Sequence, residues 1–98
     1  MQAVVKKTPQ ANEDLYEIWY FIAVERQNPQ NTDRFIIQLN DAFLKMAANP
    51  TMGIQKNEYA HGLYQFPFKN YQMFYFSIDD GIEIIRVLHG PRDLPELF

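Results

Sequence analysis

Cysteine is absent from this 98-residue chain. That removes disulfides, thiol nucleophiles and thiolate metal sites together, and it fits a reducing compartment. Basic charge is also scarce, with nine Lys and Arg against twelve Asp and Glu for a net charge of −3. Broad electrostatic binding to nucleic acid is therefore disfavoured, and only a local basic patch would serve that purpose. No apolar run approaches the ~18 residues of a membrane span. The opening Met1-Gln2-Ala3-Val4-Val5-Lys6-Lys7 lacks the order of a signal peptide, since its charge follows a short apolar stretch. The expected location is the cytoplasm. Also missing are a Ser-His-Asp arrangement, a glycine-rich phosphate cradle and any metal-ligand spacing, so no cofactor and no metal are expected. What remains is a chain with 47% hydrophobic and 21% charged residues, which points to one folded domain over residues 1–98.

Periodicity divides that domain in two. Residues 2–7 read as a short strand. Thr8 then caps a helix with Pro9 at its first position, where a missing N–H is harmless. The helix is expected to run to about residue 26, with Ala11, Leu15, Ile18, Trp19, Ile22 and Ala23 forming an apolar stripe that places Trp19 in the core. Asn28-Pro29 repeats the signal and opens a second helix, whose stripe is Thr32, Phe35, Ile36, Leu39, Phe43, Met46 and Ala47. Asn49-Pro50 stops it. Beyond Gly53 the period changes from 3.6 to 2, giving strands over residues 63–68, 71–78 and 82–89. Lys69-Asn70 and Asp79-Asp80-Gly81 are the turns. The expected fold is α+β in the order β-α-α-β-β-β, with a helical hairpin on a small, curved, mostly antiparallel sheet.

The strands are apolar on both faces. Tyr64, Phe66 and Phe68 share one side of the first, with Leu63 on the other. In the second, Phe74, Phe76 and Ile78 oppose Tyr71, Met73 and Tyr75, and in the third Ile82, Ile84 and Leu88 oppose Ile85 and Val87. A helical hairpin covers only one face, so part of the other is expected to be apolar and open. Either the first strand, residues 50–62 and the tail fold over it, or a partner does.

The last strand ends in Arg86-Val87-Leu88-His89-Gly90-Pro91-Arg92-Asp93. Gly90-Pro91 breaks the ladder and gathers two arginines and a histidine at one sheet edge. Guanidinium groups placed there suit an anionic or carboxylate-bearing surface. Arg86, inside an aliphatic strand, calls for a carboxylate partner, for which Glu58, Glu83 and Asp93 are the candidates. His89 is either a general base or a strand-ending hydrogen-bonding residue, and the second role is favoured because no acid or nucleophile accompanies it. His61, beside Gly62, reads as a solvated loop residue.

Several segments carry a resemblance across the whole chain. They are Asp14-Leu15 with Ile18 and Phe21-Ile22-Ala23; Asn28-Pro29 leading to Phe35 and Leu39; Asn49-Pro50-Thr51-Met52-Gly53; Gly62-Leu63-Tyr64-Gln65-Phe66; and the stretch from Ile85 to Asp93. In this order they resemble ParE-type toxins of the RelE/ParE superfamily, the toxin half of bacterial type II toxin–antitoxin pairs. The resemblance implies the same β-α-α-β-β-β fold and a cognate antitoxin as partner. It also implies inhibition of DNA gyrase, whereas RelE-type relatives cleave messenger RNA on the ribosome.

Composition bears on that choice. Cleavage needs clustered Lys and Arg with a Tyr, His or Glu at the scissile phosphate, whereas Lys56, Lys69, Arg86 and Arg92 are scattered and no tyrosine follows His89. Gyrase inhibition by protein contact needs no catalytic residue, and none is assigned. The expected target-binding residues are Arg86, His89 and Arg92, with Leu94, Leu97 and Phe98 as apolar contacts unless they fold back to close the sheet. Phe66, Phe74, Tyr75 and Phe76 are the expected antitoxin-binding surface. An endoribonuclease built on Arg86, His89 and Arg92 and a non-toxic interaction module are the alternatives. The acidic balance departs from the usual basic toxin of the family, which leaves open a weakly active member, an unusually apolar antitoxin interface or a different target.

Overall fold

The computed structural model describes residues 3–25 and 29–90. Strand β1 (Val4–Lys7) leads into helix α1 (Pro9–Tyr20) through Thr8, which acts in both elements. Its hydroxyl accepts from the Ala11 N–H at 3.1 Å as the helix cap and donates to the Ile85 carbonyl at 3.2 Å. Its own N–H donates to the Ile84 carbonyl. The α-helix ends earlier than the apolar stripe suggests, and residues Phe21–Glu25 continue as a π-helical turn. Each π turn spreads one extra residue over the rotation. Ile22 and Ala23 stay half-buried while Phe21 and Val24 are exposed.

The buried line of α1 is Ala11, Asp14 and Ile18, at spacings of three and four. Trp19 lies one residue, and so about 100°, past that line, and it is 41% exposed. Its expected place in the core is thus corrected. Helix α2 (Pro29–Ala48) follows its stripe closely, burying Thr32, Phe35, Leu39, Phe43, Met46 and Ala47.

A 3-10 turn at Pro50–Met52 and a two-residue strand β2 (Ile54–Gln55) come next, followed by β3 (Leu63–Phe68), β4 (Tyr71–Ile78) and β5 (Gly81–His89). The sheet order is β1-β5-β4-β3-β2, with β1 parallel to β5 and every other pair antiparallel. Gly81, expected in the turn, is the first residue of β5, opposite Val4. A Cβ there would stand 1.8 Å from the Val4 carbonyl oxygen, so only glycine allows the two strands to pair.

Alternation along β5 is interrupted. Phe74 pairs with Arg86 and Tyr75 with Ile84, so the register slips at Ile85. This bulge places Val87 with Ile82 and Ile84 in the cluster under the helices, and Ile85 with Leu88 on the other side. Strict alternation had opposed Val87 to Ile84, and the bulge reverses that grouping. On the second face Leu63, Phe74 and Leu88 are buried, with Tyr59 and Ala60 from the loop before β3 packed against them. The face expected to be open therefore carries a small core of its own.

Tyr75 ties the 3-10 turn to the sheet. Its hydroxyl donates to the Pro50 carbonyl at 2.8 Å and accepts from the Gly53 N–H at 3.1 Å, while Tyr64 stacks on its ring. Burial raises the Tyr75 pKa above its ordinary 10.0, against the opposing effect of the Gly53 N–H. Tyr75→Phe should cost about 1–2 kcal/mol in urea unfolding, with the slope unchanged, because two polar groups lose their partner. The sign of the pH effect follows from the raised value. Above pH ~10 the unfolded chain releases this proton before the folded one does, so stability falls with rising pH through that window. The Tyr75→Phe variant should lose this part of the alkaline decline.

Candidate functional site

Past Ile84, β5 has no β1 residue beside it, since the β1 register ends at Lys7 and Ile84. Helix α1 takes over along this edge. Asp14, only 7% exposed, accepts from Arg86 Nε at 2.9 Å and Nη2 at 3.2 Å, and from the Val87 N–H at 3.0 Å. Gln10 Nε2 adds a longer contact at 3.4 Å. One carboxylate thus caps a strand amide and holds a guanidinium in a bidentate grip. The Arg86 side chain is 21% exposed. Among the described residues every buried side-chain nitrogen and oxygen has a partner.

Beside this lock lies a cleft of about 300 Å³ between α1 and the end of β5. Ile18, Val87 and Leu88 give it apolar walls, and Glu17, Phe21, Tyr71 and His89 complete its lining. His89 is the last strand residue and is exposed, with its ring 5.1 Å from that of Tyr71. Gly90 follows at φ +69°, and its N–H donates to the Asn70 carbonyl at 2.7 Å. Arg86 and His89 are therefore brought together at one end of β5. Arg92, Leu94, Leu97 and Phe98 lie outside the described residues.

The partner of Arg86 differs from the expected acids. Glu58 stands 3.8 Å from Lys56, Asp93 is outside the described residues, and Asp14 makes the ion pair. The signal was present in the sequence. Asp14 falls three residues after Ala11 and four before Ile18, so it is a carboxylate on an apolar stripe. Such a residue needs a buried partner from another element.

The four aromatic residues assigned to a partner surface also separate. Phe74 and Tyr75 are 0% exposed, so neither offers free surface. Phe74 belongs to the second-face core and Tyr75 to the core under the helices. Phe66 and Phe76 are half-buried, packed against the helix-side and second-face clusters respectively. The large exposed apolar side chains instead include Tyr16, Trp19 and Tyr20 on α1 and Ile37 and Leu44 on α2. Strand patterning could not reveal them, because they lie on the helices' outer side.

Among the described residues no three His, Asp or Glu side chains gather closely enough to hold a metal ion, and no helix is long and apolar enough to cross a membrane. What the site displays is a locked cation, a histidine at the strand end and an aromatic-walled cleft.

Comparison with known proteins agrees with this architecture. Residues 5–94 match the family described as the ParE toxin of the type II toxin–antitoxin system parDE, and the chain belongs to that family. It is 28% identical over 88 residues to Toxin ParE1 of Mycobacterium tuberculosis, in strain CDC 1551 / Oshkosh and in strain H37Rv, covering 89% of each chain. A solved structure titled as the chromosomal ParDE toxin–antitoxin system of P. aeruginosa superposes with a TM-score of 0.64 at 17% identity. The match covers 92% of this chain and 98% of that one. The expected α+β arrangement of a helical hairpin on a small sheet thus stands, with β2 added.

Asp14→Ala should lower unfolding stability by about 3 kcal/mol or more, since it strands a mostly buried guanidinium and a strand amide. Asp14→Leu combined with Arg86→Met should recover much of that loss. A double-mutant cycle in urea measures the coupling.

Proposed function

We propose that this ParE-family chain is the toxin of a type II pair, that a cognate antitoxin neutralises it, and that it inhibits DNA gyrase by protein contact rather than by catalysis. Gyrase as target would place its action in the cytoplasm. The contact surface in this reading is the end of β5, with Arg86 and His89, continued by Arg92, Leu94, Leu97 and Phe98.

The observation that carries the reading is the charge in the cleft. One guanidinium, Arg86, is matched there by two carboxylates, Asp14 and Glu17, and Asp14 already engages it through two nitrogens. A scissile phosphate inside the cleft would meet a net negative lining, and on its other side His89 shares a groove with Lys69 as the charged residue, a single cation where phosphoryl transition states are stabilised by clustered ones. A protein surface bearing hydrogen-bond donors and apolar groups meets no such barrier. His89, seated against Tyr71, then serves as an aromatic and polar contact at the rim.

Two assays separate protein contact from RNA cleavage. The purified chain should inhibit gyrase supercoiling of relaxed plasmid in proportion to its concentration, and Arg86→Ala should weaken inhibition together with stability. Growth arrest on induction should be relieved by co-expressing the small protein encoded beside it. Cleavage of ribosome-bound messenger RNA, abolished by His89→Ala, would assign the chain to the RNA-cleaving branch instead.

A further inference from the structure

The turn between β3 and β4 holds a lysine where the favoured two-residue turns take glycine, asparagine or aspartate. Lys69 and Asn70 form this turn, with Phe68 opposite Tyr71 across it, and the Lys69 backbone sits at φ +53°. Among the described residues it is the one non-glycine residue at positive φ. A long side chain held in that conformation costs stability, and strain of this kind collects at functional sites.

The turn belongs to the strand-end site. Tyr71 pairs with His89 across β4 and β5, and the bond from the Gly90 N–H to the Asn70 carbonyl ties the turn to the end of β5. Lys69, distant from His89 in the sequence, thus stands beside it. A groove of about 460 Å³ runs between Lys69, Asn70, Gln72, His89 and Gly90. Among the described residues no carboxylate lines this groove, whereas Asp14 and Glu17 line the cleft on the other side of His89.

The two cations at this end are placed differently. Arg86 is engaged by Asp14 through two nitrogens. Lys69 is exposed, and no described carboxylate stands within ion-pair distance of its ammonium. That ammonium lies 5.9 Å from the Phe35 ring centroid and 6.0 Å from that of Phe68, so aromatic faces steady it while its N–H donors stay available. The Gln72 side-chain oxygen accepts from Gln65 at 2.6 Å, which leaves the Gln72 amide nitrogen as a donor. The groove therefore offers hydrogen-bond donors and one positive charge.

We propose that Lys69 is the cation through which this strand end recognises its target, and that it takes one Asp or Glu side chain of a protein surface, with Gln72 and His89 beside the carboxylate. The inference rests on the protein-contact reading above. A nucleic-acid backbone fits less well, because one ammonium neutralises one phosphate and the chain's net charge of −3 repels the rest. A single carboxylate among neutral neighbours meets no such penalty.

The positive φ separates recognition from a structural role. Lys69→Gly relieves the backbone, so its urea midpoint should equal or exceed that of the parent chain while its inhibition of gyrase supercoiling weakens about tenfold. Lys69→Arg should keep the inhibition. Lys6→Gln, which removes one charge from the exposed end of β1, should leave it unchanged. A probe independent of gyrase is a short Asp/Glu peptide beside its Asn/Gln counterpart, titrated into the full chain and followed at the Asn70 and Gly90 amide resonances. The acidic peptide should shift them, less so as salt rises, and the shift should vanish in Lys69→Gly.

Undiminished inhibition by Lys69→Gly would overturn the proposal, as would a loss of inhibition matched by a loss of stability. An equal response to the two peptides, or a stronger one to an RNA or DNA oligonucleotide, would also overturn it. If the parent chain leaves gyrase active while the acidic peptide still selects Lys69, the gyrase reading falls and the site stands. If parent and Lys69→Gly inhibit gyrase alike, the site falls and the gyrase reading stands.

Discussion

The structure depends on the way α1 completes the hydrogen bonding of β5. Strand β1 pairs with only the first part of β5, from Gly81 to Ile84, before the chain turns into the helix at Thr8. A strand edge left at that point would present unpaired amides and carbonyls. Thr8 supplies a hydroxyl to the Ile85 carbonyl, and Asp14, two turns along the helix, accepts the Val87 N–H. The helix is therefore bonded to the strand as well as packed on it. Arg86 enters the same arrangement because the carboxylate has lone pairs to spare, and a buried carboxylate without a cation would be costly. The bulge at Ile85 sits between these two side-chain bonds and brings Val87 under the helices.

The helical half was legible in the sequence because its signals are local. Thr8-Pro9, the stripe of α2 and the Asn49-Pro50 stop each work within a few residues, and each has its place in the structure. The features that escaped depend on contacts between distant elements. The bulge is invisible to a count of alternating residues, since a one-residue slip looks like ordinary noise in an apolar strand. Ile54–Gln55 is too short to show a period. The partner of Arg86 lies 72 residues away on α1, whereas Glu58, Glu83 and Asp93 all belong to the strand-forming half of the chain and its tail. A single large apolar residue beside a stripe looks like part of it, as Trp19 does, whereas the helix's angular step puts it on the rim.

Of the expected antitoxin-binding residues, Phe74 and Tyr75 are buried while Phe66 and Phe76 are half-buried. Aromatic residues on both strand faces suggested an open sheet, yet Tyr59 and Ala60 pack against Leu63, Phe74 and Leu88 and give that face its own core. Phe74 is buried there and Tyr75 in the core under the helices, so neither side chain offers contact area in the folded chain. For the candidate site at the end of β5 the sequence was more informative. Gly90-Pro91 marks where the strand stops, and Arg86 and His89 reach that end together. The role of Arg86 was the part that needed the fold, since its guanidinium is engaged within the chain.

The outer side of α1 and the strand-end cleft are adjacent regions of one surface. Glu17 and Phe21 line both the cleft beside Arg86 and the groove along Tyr16 and Tyr20. Helix α1 is the wall between them, and its bonds from Thr8 and Asp14 to β5 fix that wall to the sheet. A partner on the outer face has little scope to rotate the helix away from the strand, because doing so would strand Asp14, Arg86 and the Val87 amide at once. Transmission through a shifted helix would require a second arrangement of those groups. Occlusion requires none. A partner seated along Tyr16 and Tyr20 extends toward Glu17 and Phe21, and from there it reaches the rim of the cleft itself. A partner that covers one region therefore obstructs the other by contiguity.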